Sequence, residues 1–267
     1  MIRYENMVIS KVNSIELITR QYSTGERPVL VECDDFCTYV CKYPLSPAIS
    51  YKLFSEMAGS IFAQVWGLNT PNIALVNIRK EHWPSAKSAP YPFAPSIGSR
   101  LITGVIDLTP NSTTIYNDAT SILNNLLDIA LFDFWIANED RNANNMNLMY
   151  KPESSQIISI DYGCIFNTSM YDYPLSQLTF TDSILTSDLF DNLIGEKKGL
   201  NIITKQDFLN RVSKCHKEMD SIIDHTPLEW KIPYDVGRNK LSQLFESKWL
   251  NEVWENFLDC LNENNKS

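Results

Sequence analysis

Apolar and polar positions along this chain follow two rhythms, and the rhythm changes about a third of the way along. Residues 14–22 (SIELITRQY), 29–33 (VLVEC) and 38–43 (TYVCKY) are rich in β-formers and are separated by the turn-prone strings STGERP and DDF. They predict a meander of three antiparallel strands. Pro44 and Pro47 end it, because proline has no amide proton to give a sheet. The period then lengthens. Between residues 48 and 66, AISYKLFSEMAGSIFAQVW repeats Leu53, Met57, Ile61 and Val65 at helical spacing, which predicts an amphipathic helix. Gly67 stands where a C-cap belongs, with Pro71 just beyond, and NIALVNI (72–78) reads as another strand.

Residues 83–99 contain Pro84, Pro90, Pro92 and Pro95 and predict a long loop. SRLITGVIDL follows as mixed strand and connector. Past this point the helical period dominates. A helix is expected from Asp118, as N-cap, to Ala137, with stripes Ile122/Leu126/Ile129/Asp133 and Leu123/Leu127/Ala130/Phe134. MNLMY and QIISI bracket KPESS as a hairpin. Thr204 and Asp207 have the spacing of a capping box, and two amphipathic segments close the chain. The expected architecture is therefore α+β and two-lobed. Residues 1–98 would form a β-rich lobe with one helix, and 99–267 a mostly helical lobe with a hairpin, with a cleft between them.

Composition narrows the function. The chain has 267 residues, 44% of them hydrophobic, with net charge −9 and no Lys/Arg run longer than two. A size of this order supports a well-buried core, and the acidity argues against nucleic acid as a direct partner. No apolar run approaches the roughly 18 residues a membrane span needs. The start, MIRYENMVISKVN, lacks the layout of a signal peptide. Together with six cysteines, this suggests a reducing, cytoplasmic setting. Cys33, Cys37 and Cys41 are four apart. They lie on strand-like segments, where cysteine serves as a small core hydrophobe. No two of His82, His216 and His225 have ligand spacing, so structural zinc is not expected.

The polar concentration at residues 132–150, FDFWIANEDRNANNMNLMY, followed by IDYG, is a poor way to build a core. Transfer of a phosphoryl group needs a carboxylate for the acceptor hydroxyl, oxygen ligands for Mg²⁺, and a cation for the nucleotide's phosphates. Asp140 and Asn145 have the D-x4-N spacing of a base and a metal ligand, and Asp161-Tyr162-Gly163 supplies a second ligand. Asp133/Asn138 and Asp259/Asn264 share that spacing, but the first lies inside the expected helix and nothing follows the second. D-x-G recurs at Asp235. Taken alone, Asp140 and Asn145 also describe a solvated turn. The order helix, loop, hairpin, D-x-G favours a site. Such a site also requires a lysine on the third strand and a helix glutamate to pair with it. Lys42 and Glu56 stand at those places. The turn over the phosphates would be Ser23-Thr24-Gly25-Glu26-Arg27, with a single glycine.

WIANEDRNANNMNL with IDYG, VCKYP, and FSEMAGSIFAQVWGLNTP resemble the corresponding stretches of HipA-like kinases over roughly residues 20–170. The resemblance is to compact members of that family of two-lobed bacterial Ser/Thr kinases, best known as toxins of toxin–antitoxin modules. It implies Asp140 as catalytic base, Asn145 and Asp161 as Mg²⁺ ligands, and Lys42 on the α/β-phosphates of ATP with Glu56 orienting it. It implies Asn138, and with it Asn147, as braces of the catalytic loop, and Ser23 or Thr24 as an autophosphorylation site. Asn142 stands where many relatives have histidine. The implied partners are a protein substrate and a small antitoxin. Two alternatives stay open: a nucleotide-binding pseudokinase, and a small-molecule or lipid kinase whose acceptor is chosen by residues 164–183. Arg100 and Arg141 are candidates for facing an acidic acceptor, the adenine-contacting hinge is expected between Asn77 and Ile106, and Trp135 is expected in the core.

Overall fold

In the computed structural model, residues 9–84, 94–109, 119–194 and 203–264 are described. Six strands make the first sheet: β1 (Ser10–Asn13), β2 (Arg20–Gln21), β3 (Val29–Glu32), β4 (Thr38–Lys42), β5 (Ile73–Asn77) and β6 (Ser96–Arg100). Their order in space is β1-β5-β6-β4-β3-β2, with β1 parallel to β5 and the other neighbours antiparallel.

Two expectations about this sheet need correction. The strand expected at 14–22 is replaced by β1 and the two-residue β2. Asp34 pulls the chain into a corner by accepting from the backbone N (3.0 Å) and Nδ2 (2.8 Å) of Asn13. Ile15 and Leu17 then point outward, 46% and 59% exposed. The loop expected at 83–99 ends early, because β6 starts at Ser96 and runs between β4 and β5 as far as Arg100. The sheet therefore crosses the boundary expected between 98 and 99. Gly98 makes this possible, since a Cβ there would lie 2.6 Å from Val76 Cγ2 and 3.0 Å from Tyr39 Cβ. Pro95 precedes the strand, where its missing N–H breaks no ladder.

Behind the sheet runs α1 (Tyr51–Trp66), closed by Gly67 at φ 101° as left-handed helix caps commonly are. Of the predicted stripe Leu53, Met57 and Ile61 are buried and Val65 is partly so, and every other residue from Leu53 to Ala63 is buried as well. The helix is sandwiched, with β5 and β6 on one side and helical elements on the other, and a helix enclosed all round is apolar all round. Glu56 is the charged residue in this stretch, 3% exposed. Gly59 lets α1 approach Tyr162 closely: a Cβ there would fall 2.4 Å from Tyr162 Cβ.

α2 (Ala119–Ile136) ends at Ala137, φ 51°. The expected hairpin follows as β8 (Leu148–Lys151) and β9 (Gln156–Ser159), joined at its edge by β7 (Ile106–Asp107). A single turn, α3 (Ile165–Ser169), leads through 3-10 turns to α4 (Asp188–Ile194), α5 (Lys205–His216), α6 (Met219–His225), α7 (Tyr234–Gln243) and α8 (Ser247–Asn264). Thr204 and Asp207 form the capping box at α5. The main core is continuous from α1 into these helices. Trp135 lies at its centre, stacked on Trp66 at 5.2 Å and donating Nε1–H to the Leu244 carbonyl at 2.9 Å. A smaller core on the sheet includes Val29, Val31, Cys33, Cys41 and Val76. All six cysteines are free thiols, and burial pushes Cys33 up to about 12. Among the described residues no cluster of three or more His, Cys, Asp or Glu is arranged to hold a metal, and no helix is long and apolar enough to cross a membrane.

Candidate active site

Lys42 is the last residue of β4, and its ammonium is the meeting point of three distant segments. It lies 2.9 Å from Glu56 Oε2 of α1, 2.5 Å from Asp161 Oδ1 after β9, and 3.3 Å from Glu26 Oε2 in the turn between β2 and β3. The same Glu56 oxygen accepts from the backbone N of Tyr162 at 2.9 Å, which ties α1 to the D-x-G segment. Asp161 has a left-handed backbone (φ 62°), and its Oδ1 also accepts from the Gly163 N at 3.3 Å. Burial works against the Lys42 charge, yet Glu56, Asp161 and Glu26 hold its pKa well above the usual value. Burial raises Glu56 despite Lys42. Asp161 is lowered, because Lys42 outweighs its burial.

The polar loop is hung from the end of α2 by a buried network. Asp133 accepts from Asn138 Nδ2 at 2.8 Å and pairs with Arg141 Nε at 2.9 Å. Arg141 is fully buried; it donates to the carbonyl of Asn147 (2.6 Å) and lies over the Tyr162 ring at 5.2 Å. Burial lifts the Asp133 carboxyl to about 6, against the pull of Arg141 and Asn138. Asp140 is half-buried and accepts from Asn147 Nδ2 at 3.1 Å. Asn142 fixes the next turn, its Oδ1 accepting from the backbone N of Asn144 (2.9 Å) and of Asn145 (3.3 Å). An uncharged amide thus shapes the loop at this position.

Beyond Gly163, Phe166, Asn167, Thr168 and Ser169 all have left-handed φ, between 51° and 61°. Such backbone costs about 1–2 kcal/mol per L-residue and persists only where its surroundings over-determine it. Here Glu139 supplies much of that constraint. Its Oε1 accepts from Asn167 Nδ2 and its Oε2 from Thr168 Oγ1, each at 2.8 Å. Asn167 also exchanges hydrogen bonds with the backbone of Ser176, and Ser169 Oγ donates to the Gly163 carbonyl at 2.9 Å. The residue before Asp140 is therefore fastened to the segment after Asp161.

The structure brings Lys42, Glu56 and Asp161 together and sets Asp140 beside Asn147. Asn145 is exposed at the corner of the loop, its backbone closing a turn with Asn142. Asn138 faces the buried network instead of the cleft. Ser23, Thr24 and Gly25 form an exposed turn, and a Cβ on Gly25 would meet nothing within 4 Å. Two readings are corrected. Arg141 cannot meet an acidic acceptor, because it is buried holding the loop. The Asp133/Asn138 pair, set aside as lying within the helix, is the loop's anchor. Three residues went unassigned in the sequence: Glu26, Glu139 and Lys52, whose Nζ is 3.0 Å from Glu26 Oε1. Glu139 adjoins Asp140 and Glu26 lies in the phosphate turn, so position alone was the available signal. A 480 Å³ cavity lined by residues including Asn13, Asn77 and Asp224 contains none of these groups.

With this geometry in place, comparison with known proteins is direct. The HipA-like kinase family model matches residues 15–255, well past the 20–170 stretch legible from motifs. The chain is similar in fold to the Helicobacter pylori proinflammatory kinase CtkA, with TM-score 0.52, 13% identity, and 96% of this chain and 98% of that one covered. The Golgi casein kinase is similar at TM-score 0.46 and 11% identity, over 95% of this chain and 73% of that one. The sequence matches none of the curated proteins it was compared with. Identities this low speak for the fold alone, which is α+β and protein-kinase-like. The family match covers most of the sequence, and the chain belongs to the HipA-like kinase family.

Proposed function

We propose that this chain is an ATP- and Mg²⁺-dependent kinase that phosphorylates a serine or threonine hydroxyl of a protein. The observation that carries the reading is the convergence on Lys42: a strand lysine paired to a buried helix glutamate 2.9 Å away and to the D-x-G aspartate. Lys42 would hold the α/β-phosphates, with Glu56 fixing its direction. Asn145 and Asp161 offer hard oxygen donors of the kind Mg²⁺ prefers. Mg²⁺ bound by two such groups would take the rest of its shell from phosphate and water. When bound, Mg²⁺ supplies neutralisation of the charge on the transferring group.

Asp140 would accept the proton as the acceptor oxygen bonds to the γ-phosphorus, the bond to the bridging oxygen breaks, and ADP leaves. Asn147 orients the carboxylate for that role. Asn138 acts at one remove, through Asp133. The protein-hydroxyl acceptor and a small antitoxin partner are what the family resemblance implies, and a cytoplasmic setting is what the cysteine usage suggests. On this reading the segment 164–183, which follows the D-x-G, would select the acceptor.

The test is incubation of the purified chain with γ-labelled ATP and Mg²⁺, alone and with bacterial lysate. Label on the chain or a lysate protein should fall by about 10²–10⁴-fold in Asp140→Ala, the range for losing a general base, and should vanish in Asp161→Ala. A small-molecule product with no labelled protein would move the acceptor class. No transfer, but ATP binding that Asp161→Ala abolishes, would make the chain a nucleotide sensor.

A further inference from the structure

The lysine ammonium has three N–H donors and no acceptor, and Lys42 faces three carboxylates: Glu26, Glu56 and Asp161. Two of its donors go to Glu56 and Asp161, and the Glu26 carboxylate stands 3.3 Å away on the ammonium's remaining side, where a phosphate oxygen would have to come. Glu56 is held within the enclosed part of α1 and is fastened to the Tyr162 amide. Asp161 is tied to the Gly163 amide. Glu26 differs from both. It sits on an exposed turn, its side chain is 25% exposed, and no backbone amide fastens its carboxylate among the hydrogen bonds of the described residues. Its two oxygens each take one ammonium: Oε2 lies 3.3 Å from Lys42, and Oε1 lies 3.0 Å from Lys52 at the start of α1. A phosphate oxygen pair would span the same two cations.

Charge points the same way. With Glu26 in place, two ammoniums face three carboxylates at this end of the cleft, a field that repels a polyphosphate. With Glu26 out, two face two.

We propose that Glu26 occupies the seat of a nucleotide phosphate, and that Lys52 joins Lys42 as a second phosphate-binding cation when the turn carrying Glu26 swings away. This rests on the nucleotide-binding reading above and adds to it a competitor that the chain carries within itself. A ligand that must displace one state binds weaker by the fraction of molecules left competent. A nine-tenths occupied Glu26 contact therefore lowers apparent affinity about tenfold.

Calorimetric titration of the full chain with ATP, tripolyphosphate and adenosine tests this. Glu26→Gln should bind ATP and tripolyphosphate about three- to tenfold tighter, with adenosine unchanged. Lys52→Met should weaken ATP and tripolyphosphate alone, and more strongly in the Glu26→Gln background, where the lysine has no rival partner. Glu26→Gln binding ATP no more tightly than the wild type would overturn the proposal while leaving nucleotide binding intact. Lys52→Met weakening adenosine equally would remove Lys52 from the phosphate seat. Failure of the wild-type chain to bind either ATP or adenosine would overturn the nucleotide reading and this proposal together.

Discussion

Two ion networks touch Tyr162, one through its ring and one through its backbone N–H, and they are built to opposite rules. In the buried one, Asp133 meets Arg141 with both side chains almost wholly enclosed, one charge answers one charge, and Asn138 and the Asn147 carbonyl add hydrogen bonds. In the cleft, Lys42 meets Glu26, Glu56 and Asp161, and Glu26 and Asp161 keep 25% and 35% of their side chains exposed. The first network is balanced and closed, which suits a scaffold. The second has surplus negative charge and access from outside, which suits a site awaiting a cationic ligand. An ion pair in a sequence says nothing of which kind it is; the charge count and the exposure around it do.

The largest effect should come from unbalancing the closed network. Arg141→Met leaves Asp133 buried without its partner, and breaking a buried pair in this way costs about 3–5 kcal/mol. Urea unfolding should show that loss. Asp133→Leu combined with Arg141→Met should regain most of it, because paired apolar groups replace the ion pair. A single variant within about 1 kcal/mol of wild type would mean that the loop is held by its backbone alone.

A smaller effect separates the networks by pH. Burial lifts Asp133 to about 6, above the roughly 3.9 of an exposed aspartate. Between pH ~4 and ~6 the folded chain therefore keeps a proton that the unfolded chain has lost. On this account stability falls as pH rises through the window, by about 2–3 kcal/mol at most. Asp161 has the opposite sign. Its lowered pKa gives stability that is present above the ordinary carboxylate range and lost as pH falls through its folded value. The wild-type stability minus that of Asp133→Asn should decline from pH 4 to 6 and then level. A flat difference would show that Arg141 keeps Asp133 ionised throughout.

Much of the cleft was legible because each part sits in a strong local context. Lys42 ends a β-rich string, Glu56 interrupts an apolar helix, and Asp161 follows a hairpin, although Lys42 and Asp161 are 119 positions apart. The remainder depended on contacts that no local pattern encodes. β6 is a five-residue strand behind a run of prolines, recognisable only once Gly98 is seen against Val76. Arg141 reads as a surface charge until Asp133 is found beneath it. The left-handed turn at 166–169 contains a single residue type that tolerates such backbone, Asn167, so its shape is imposed from outside by Glu139 and Ser176. What sequence concealed was tertiary override of local propensity.

The smallest stability change is expected where the largest functional one falls. Asp161→Asn should abolish phosphoryl transfer yet leave unfolding free energy within about 1 kcal/mol of wild type. The substitution removes one of three carboxylates on Lys42, a loss for that ammonium. It also removes a like charge beside Glu56, whose pKa is raised chiefly by burial and in part by Asp161. The loss and the relief oppose each other, and partial exposure screens both. Urea midpoints for the two chains, measured without nucleotide and again with ATP and Mg²⁺, decide the matter. Coincident midpoints that separate only when the ligands are added mark Asp161 as functional, whereas a loss of 3 kcal/mol or more without ligand would make the cleft a scaffold like the network around Arg141.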